Sequence, residues 1–207
     1  MRPARWTPCG YQMRARHHPR RRFPMRRISI PPNATLDGVI GNPQDWPAME
    51  GPGGGSAGFQ QELIDQCDAV LFGKDTHLSF AGVWQGRSGD PFTDRLNAMR
   101  KHGASTSLPR ASWENSGIIR DFVPGAVAAL KAEPGQDIPT YGFGRLARTL
   151  MDDGFLDGIR LWIHPFFIGP GSQLLHDHAP ASRRRLKDPR AMANGSVIHS
   201  YGVEPRG

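Results

Sequence analysis

Three short segments of this 207-residue chain combine glycine with charged or hydroxyl side chains in patterns that suit ligand-binding loops. The first is Leu36-Asp37-Gly38-Val39-Ile40-Gly41, followed by Asp45-Trp46-Pro47. A carboxylate beside glycine, an apolar pair and a second glycine let backbone approach a ligand closely. Asp-Gly is also an ordinary turn, and taken alone the turn is the stronger reading. The second is Phe72-Gly73-Lys74-Asp75-Thr76, a strand end that turns through glycine into a helix. Free N–H groups at a helix start attract an anion, to which Lys74 adds charge and Thr76 a hydroxyl. The plainer alternative is that Asp75 or Thr76 caps the helix. The third is Thr140-Tyr141-Gly142-Phe143-Gly144-Arg145-Leu146, again strand to helix. Its two glycines could admit a pyrophosphate, with Arg145 as counter-charge. The third glycine of a six-position dinucleotide fingerprint is missing, because Ala147 stands there.

Other chemistry-bearing residues are weaker candidates. Glu62 and Asp65 share a short helix and read as solvated helix-face charges. His176-Asp177-His178 lacks further ligands at suitable spacing and reads as a turn, so no metal site is expected. Cys9 and Cys67 are too few for a disulfide scaffold or an all-cysteine zinc site. Cys67, at a helix-to-strand boundary, is expected in the core.

The elements that must position these loops follow from apolar pattern. Arg27–Ile30 reads as a short strand stopped by Pro31-Pro32. A glycine-rich loop spans 51–58, and Phe59–Gln66 is a short helix. Ala69-Val70-Leu71-Phe72 has the continuous apolar character of a buried strand. Helical patterns recur at 75–81, 91–101, 123–132 and 144–153, and apolar runs at 117–119, 138–141, 159–168 and 196–203. Strands alternating with helices imply an α/β sheet, parallel through its first two-thirds. The last third lacks a helix between its runs, which implies an antiparallel finish. The three loops then share the C-terminal strand ends, where ligands of open α/β sheets bind.

Charge divides the chain. The formal net charge is +7, but nine of the 26 Lys and Arg residues lie within 1–27, a stretch with no acid. The remaining 17 face 19 acidic residues, so the body is nearly neutral and offers no footprint for nucleic acid. Residues 1–24 are expected to be a disordered leader, rich in Arg and Pro and poor in aliphatics. It has no apolar segment of a secretory signal, and no run approaches a membrane span, so the cytoplasm is expected. The leader is either a nucleic-acid-binding tail or an upstream extension of a chain whose natural start is Met25. Residues 25–207 are expected to form one domain.

In order and text, these segments resemble the dihydrofolate reductase-like superfamily. The nearest branch is the C-terminal reductase domain of the bifunctional riboflavin-biosynthesis deaminase–reductase (the RibD C-terminal domain) and the small stand-alone bacterial proteins built on it. The resemblance spans roughly 27–204. It is carried by TLDGVIG at 35–41, LFGKDT at 71–76, DPFTDRLN at 90–97, WENS at 113–116, LKAEPGQDI at 130–138 and, above all, GFGRLARTLMDDGFLDGIRLWIHPFFIGPG at 142–171. It implies a three-layer α/β/α fold with a mixed, mostly parallel sheet and an antiparallel C-terminal hairpin.

The resemblance implies NADPH along the sheet's C-terminal edge. Gly73, Lys74 and Thr76 would face its phosphates, and Ser105 and Thr106 its adenosine end. Gly142, Phe143, Gly144, Arg145 and Leu146 would hold the pyrophosphate and nicotinamide side. Asp37, Gly38 and Trp46 would border nicotinamide and a small heterocyclic substrate. No residue matches a motif that assigns a catalytic role, although Glu62, Asp65 and Asp37 are carboxylates to consider. Three departures stand out. Phe143 replaces a small residue and would crowd the cofactor, Lys101-His102-Gly103-Ala104 replaces an apolar strand, and Asp157-Gly158-Ile159 replaces an Asp-Glu-Leu turn. The deaminase half has no counterpart. The expected activity is NADPH-dependent reduction of a pterin- or pyrimidine-like heterocycle, in a homodimer. The alternative is a nucleotide-binding protein of the same fold that has lost catalysis, with Phe143 as its clue.

Overall fold

The longest fully apolar β-type run, Ala69 to Phe72, can be satisfied only where both sides of a strand are covered. In the computed structural model, which describes residues 25–47, 56–120, 124–172 and 183–203, that is its position. The strands are β1 (Ile28–Ile30), β2 (Asn33–Thr35), β3 (Ala69–Gly73), β4 (Arg100–Ala104), β5 (Ser116–Ile119), β6 (Ile138–Tyr141), β7 (Gly158–His164), β8 (Arg184–Ala191) and β9 (Val197–Val203). The helices are α1 (Ser56–Asp65), α2 (Lys74–Trp84), α3 (Pro91–Ala98), α4 (Pro124–Ala132) and α5 (Arg145–Asp152). The sheet runs β5-β4-β3-β6-β1-β7-β9-β8, with β2 added alongside the end of β7. Pairing is parallel from β5 to β7 and antiparallel at β7–β9 and β8–β9.

Alternation along β3 separates two cores. Val70 and Phe72 point to a front face with Ile64 of α1, Ala81 of α2 and Leu96 of α3. Leu71 points to a back face, where Ile28, Ile30 and Ile138 meet Val127 and Leu130 of α4 and Ala147 and Leu150 of α5. A smaller front cluster joins Phe59 of α1 to Trp162 and Ile198. Helices cover both faces of a mixed sheet, so the expected three-layer α/β/α architecture with an antiparallel finish holds.

Two elements differ from the pattern reading. The helix expected over 91–101 stops at Ala98, where Met99 turns extended, and Arg100–Ala104 is strand β4 between β3 and β5. Lys101 conceals that strand. It is 1% exposed, yet its Nζ donates to the carbonyls of Asn97, Met99 and Glu114 at 2.7, 2.9 and 3.1 Å and lies over the Trp113 ring. Three acceptors and a π face satisfy an ammonium that hydropathy places outside. The polar stretch before 196 likewise contains strand β8, an edge whose charges, Pro189 and bulge between Leu186 and Asp188 block further strand pairing. In addition, β7 ends at His164 rather than at 168, and Ser56 to Gly58 belong to α1 rather than to the glycine loop.

The altered turn at Asp157 is also accounted for. Its carboxylate accepts from Ile28 N and Lys131 Nζ, tying β1 to α4. Cys67 is 1% exposed, as expected of a core residue. The leader at 1–24, the glycines at 51–55 and His176-Asp177-His178 lie outside the described residues. Among the described residues, no helix is long and apolar enough to cross a membrane, and no three His, Cys, Asp or Glu side chains gather as a metal set.

Candidate active site

Strands β3 and β6 are parallel neighbours, Leu71 opposite Thr140 and Phe72 opposite Tyr141, yet their helices leave in opposite directions. From β3 the chain enters α2 on the front face, and from β6 it enters α5 on the back face. Such a divergence opens a crevice at the C-terminal strand ends of an α/β sheet. Both helices start from glycine caps in extended backbone, Gly73 and Gly144, and neither receives a side-chain cap. Their first N–H groups are therefore left without side-chain acceptors at one sheet edge, a setting suited to phosphate oxygens.

The two loops touch. Gly142 has φ +79°, and a Cβ there would overlap Oγ1 of Thr76. A Cβ on Gly73 would meet that of Leu146 at 3.6 Å, whereas one on Gly144 would meet nothing within 4 Å. Gly142 is thus needed for close packing of one loop on the other, and Gly144 borders open space. Arg145 is exposed beside it. Phe143, 8% exposed, turns its ring into the back-face core. It does not crowd the crevice, so the side chain that suggested a lost function is a core residue.

Lys74 reaches from the start of α2 to the loop after β4, where its Nζ donates to Ser107 Oγ at 3.0 Å. The Ser105 hydroxyl is engaged elsewhere. Its Oγ accepts from Ser107 N and Leu108 N at 3.2 and 2.9 Å and shapes the turn that presents Ser107. Thr106 is exposed. Ser107 is the hydroxyl the sequence reading missed, and the only signal was its place three residues beyond a strand that was itself hidden.

At the other end of the edge, the Asp37 loop is stitched to the segment after β7. Asp37 Oδ2 accepts from Ile168 N and Gly169 N at 3.2 and 2.8 Å, and its Oδ1 accepts from the Thr35 hydroxyl. These bonds hold its carboxyl below the ordinary value, the Thr35 bond most, then that from Gly169. The side chain is therefore a latch between loops. Gly38 provides the φ +81° that lets Val39 N return to Thr35. Trp46 donates its Nε1–H to Gly41 O at 2.9 Å and sets its ring edge-on to His164 and Phe166. His164, 1% exposed, hydrogen-bonds Asn33 Oδ1 at 3.0 Å and stacks on Trp162. Burial pushes its imidazole down to about 4, so at neutral pH it is uncharged.

Below this edge lies the front face of the sheet, covered by α1 and α2. Phe59 of α1 packs over Trp162, while α2 lies over β3 and β4 through Phe80 and His77. Between the two helices, the front-facing residues are Ser29 and Pro31 of the β1 segment, Tyr141 of β6 and Arg160 of β7, all partly exposed. Burial raises the Tyr141 phenol, which keeps its proton. The helix carboxylates do not point here. Glu62 pairs with Arg190 of β8 at 2.7 Å, and Asp65 accepts from Gln61 at 2.7 Å. This part of the front face thus carries hydroxyls and a guanidinium.

The profile of the RibD C-terminal domain family matches residues 28–199. An uncharacterized protein, YyaP of Bacillus subtilis strain 168, is 29% identical over 185 residues, covering 85% of this chain and 94% of that protein. Among solved structures, a candidate riboflavin biosynthesis protein from Shewanella sp. PV-4 superimposes with a TM-score of 0.67 at 13% identity, over 85% of this chain and 98% of that one. A pyrimidine reductase-like protein from Corynebacterium diphtheriae gives 0.62 at 16% identity, over 87% and 93%. The diaminohydroxyphosphoribosylaminopyrimidine deaminase/5-amino-6-(5-phosphoribosylamino)uracil reductase of Thermotoga maritima gives 0.60 at 13% identity, over 86% of this chain but only 56% of its own. At these identities the structures speak for the fold.

Proposed function

The chain belongs to the RibD C-terminal domain family, and from that premise we propose that it is an NADPH-dependent reductase of a pterin- or pyrimidine-like heterocycle. The observation that carries this reading is the crevice between β3 and β6, where two glycine-capped helix starts meet at one edge. The residues present fit a phosphorylated dinucleotide. Backbone N–H groups after Gly73 and Gly144 would hold the pyrophosphate, with Arg145 as counter-charge. Lys74 and Ser107 would take the phosphate that distinguishes NADPH from NADH, since ammonium and hydroxyl already converge at 3.0 Å. Bound there, the dinucleotide supplies a hydride.

The chain's own groups would then bind and orient the acceptor. The front face between α1 and α2 would offer the partly exposed Phe80 ring, with hydroxyls from Ser29 and Tyr141. The stitched Asp37 loop closes the end of the edge nearest β7. The test is spectroscopic. NADPH titration should quench tryptophan emission saturably and more tightly than NADH, and a heterocyclic substrate should then cause loss of absorbance at ~340 nm. Saturable binding without oxidation by any pterin or pyrimidine would favour the catalytically silent nucleotide binder.

The same reading includes a homodimer. With the β8 edge blocked, a second copy would pack on the sheet face instead, where Leu186 of β8 lies opposite Tyr201 and is 46% exposed. Leu186→Glu should convert the dimer to a monomer in light scattering, and a wild-type monomer overturns the proposal.

A further inference from the structure

We propose that Arg120 is a positioning residue for cofactor selection: its guanidinium clamps the turn after β4 and thereby holds Ser107 against Lys74 before a dinucleotide arrives. The inference rests on the reductase reading above and adds the residue that keeps the Lys74–Ser107 pair in place. Arg120 directly follows β5, the edge strand beside β4. Its Nη1 donates to Leu108 O at 3.0 Å and its Nη2 to Pro109 O.

Ser107 is exposed and sits in a turn tied down on both sides. Upstream, Ser105 N donates to Ile119 O at 3.0 Å, and Ser105 Oγ accepts from Ser107 N and Leu108 N. Downstream, the buried Leu108 and the residue after it present the two carbonyls that Arg120 takes. Further along, Gln85 Nε2 donates to Ser112 O at 3.2 Å, and Trp113 joins the front core with its Nε1–H on Asn97 Oδ1 at 2.7 Å. Arg120 therefore ties the stretch between Ser105 and the Trp113 anchor. Pro109 has no N–H with which to close the turn from within, so the clamp comes from β5. A guanidinium suits the task, because its planar fork meets two adjacent acceptors at once, which a single ammonium does poorly. Both bonds are charge-assisted. A hydroxyl already held in place loses less freedom when a phosphate arrives, so the clamp favours the phosphorylated cofactor without touching it.

The test is a double-mutant cycle on the full-length protein, read as cofactor preference: the Kd for NADH divided by that for NADPH, from tryptophan quenching. Ser107→Ala and Arg120→Gln should each lower that ratio about threefold, the usual worth of one hydrogen bond, and the double variant should lower it no further. Arg120→Lys, which keeps the charge but not the fork, should recover only part of the loss. Losses that multiply to about ninefold would show Arg120 acting apart from Ser107 and overturn the proposal. Full recovery in Arg120→Lys would assign the effect to charge alone and overturn it too. So would an unchanged ratio in either single variant, or a wild-type ratio near one. Hydrogen exchange without cofactor supplies a second readout. The Ser107 and Leu108 amides should exchange at least ~10-fold faster in Arg120→Gln, while those of β3 keep native rates. Native rates at 107 and 108 overturn the proposal even if the ratio falls. Failure of the wild type to bind NADPH sinks the reductase reading instead, and the exchange measurement still decides whether Arg120 holds the turn. Arg120 is exposed and lies outside both cores, so the Gln variant should fold. Should it not, the intermediate ratio and exchange rates expected of Arg120→Lys decide.

Discussion

Gly142 packs its α-carbon against the side chain of Thr76, joining the loop after β6 to the first turn of α2. A side chain at 142 would need both a left-handed backbone at φ +79° and room that Thr76 already fills. The first requirement alone costs about 1–2 kcal/mol. Gly142→Ala should therefore lower the Tm by several degrees and weaken NADPH binding at least ~10-fold. Adding Thr76→Ala should restore part of both, because it removes the overlapping oxygen. Additive losses in a double-mutant cycle would contradict the contact.

Lys74 and Ser107 should discriminate between cofactors. Lys74→Gln is expected to raise the Kd for NADPH ~10-fold, about 1.4 kcal/mol, and to leave that for NADH within about twofold. Ser107→Ala should act in the same direction and more weakly. Equal effects on the two cofactors would remove the pair from the role assigned to it.

Phe143 should matter to stability and not to cofactor affinity. Truncation to Ala is expected to cost about 3–5 kcal/mol, the usual range for a buried aromatic. Phe143→Leu should be far milder and leave NADPH binding unchanged. A Leu variant with native Tm but altered NADPH affinity would place the ring in the crevice after all.

His164 gives the fold a pH dependence of known sign. Its folded value near 4 lies below the ordinary ~6.5 of an unfolded histidine, so between those limits the unfolded chain binds more protons. Stability from this residue is complete above about pH 6.5 and drains as pH falls towards 4. Thermal melts from pH 7 to 4 should show that slope, flattened in His164→Gln whatever the variant's absolute Tm.

Asp37 acts in a lower window. Its folded value is depressed, so its latch contributes above the unfolded ~3.9 and is lost as pH falls through the folded value below that. Asp37→Asn should reduce the fall in Tm below pH 4 and loosen the 36–41 segment in hydrogen exchange. An unchanged acid limb would show that the latch holds nothing.

What the amino-acid pattern made legible, and what it hid, follow from where charges go. Ala69 to Phe72 could only be a central strand, and Gly73, Lys74, Thr76 and the Gly142 loop fell together because parallel strands align their C-terminal ends. β4 was hidden because Lys101 finds its three acceptors only after Asn97, Met99 and Glu114 converge in space. With β4 went Ser107, whose meeting with Lys74 depends on that strand's neighbour. β8 was hidden because an edge strand needs charge, which reads as a loop. The polar part of the front face could not be read at all, since Ser29, Tyr141 and Arg160 share it only through the register of β6, β1 and β7.

The place of β1 between β6 and β7 also fixes an order of events at birth. Among the described residues, Ile28 and Ile30 are the first apolar core residues made, but their partners Ile138 and Ile159 come more than a hundred residues later. At ~5–20 residues per second, the ribosome takes roughly 6–26 s to supply both neighbours. For that interval the nascent chain carries an unpaired apolar strand, and β1 can close the sheet only when β6 and β7 are both present. The first strand among the described residues is thus set to be among the last to dock, and the strands that hold the crevice wait for it.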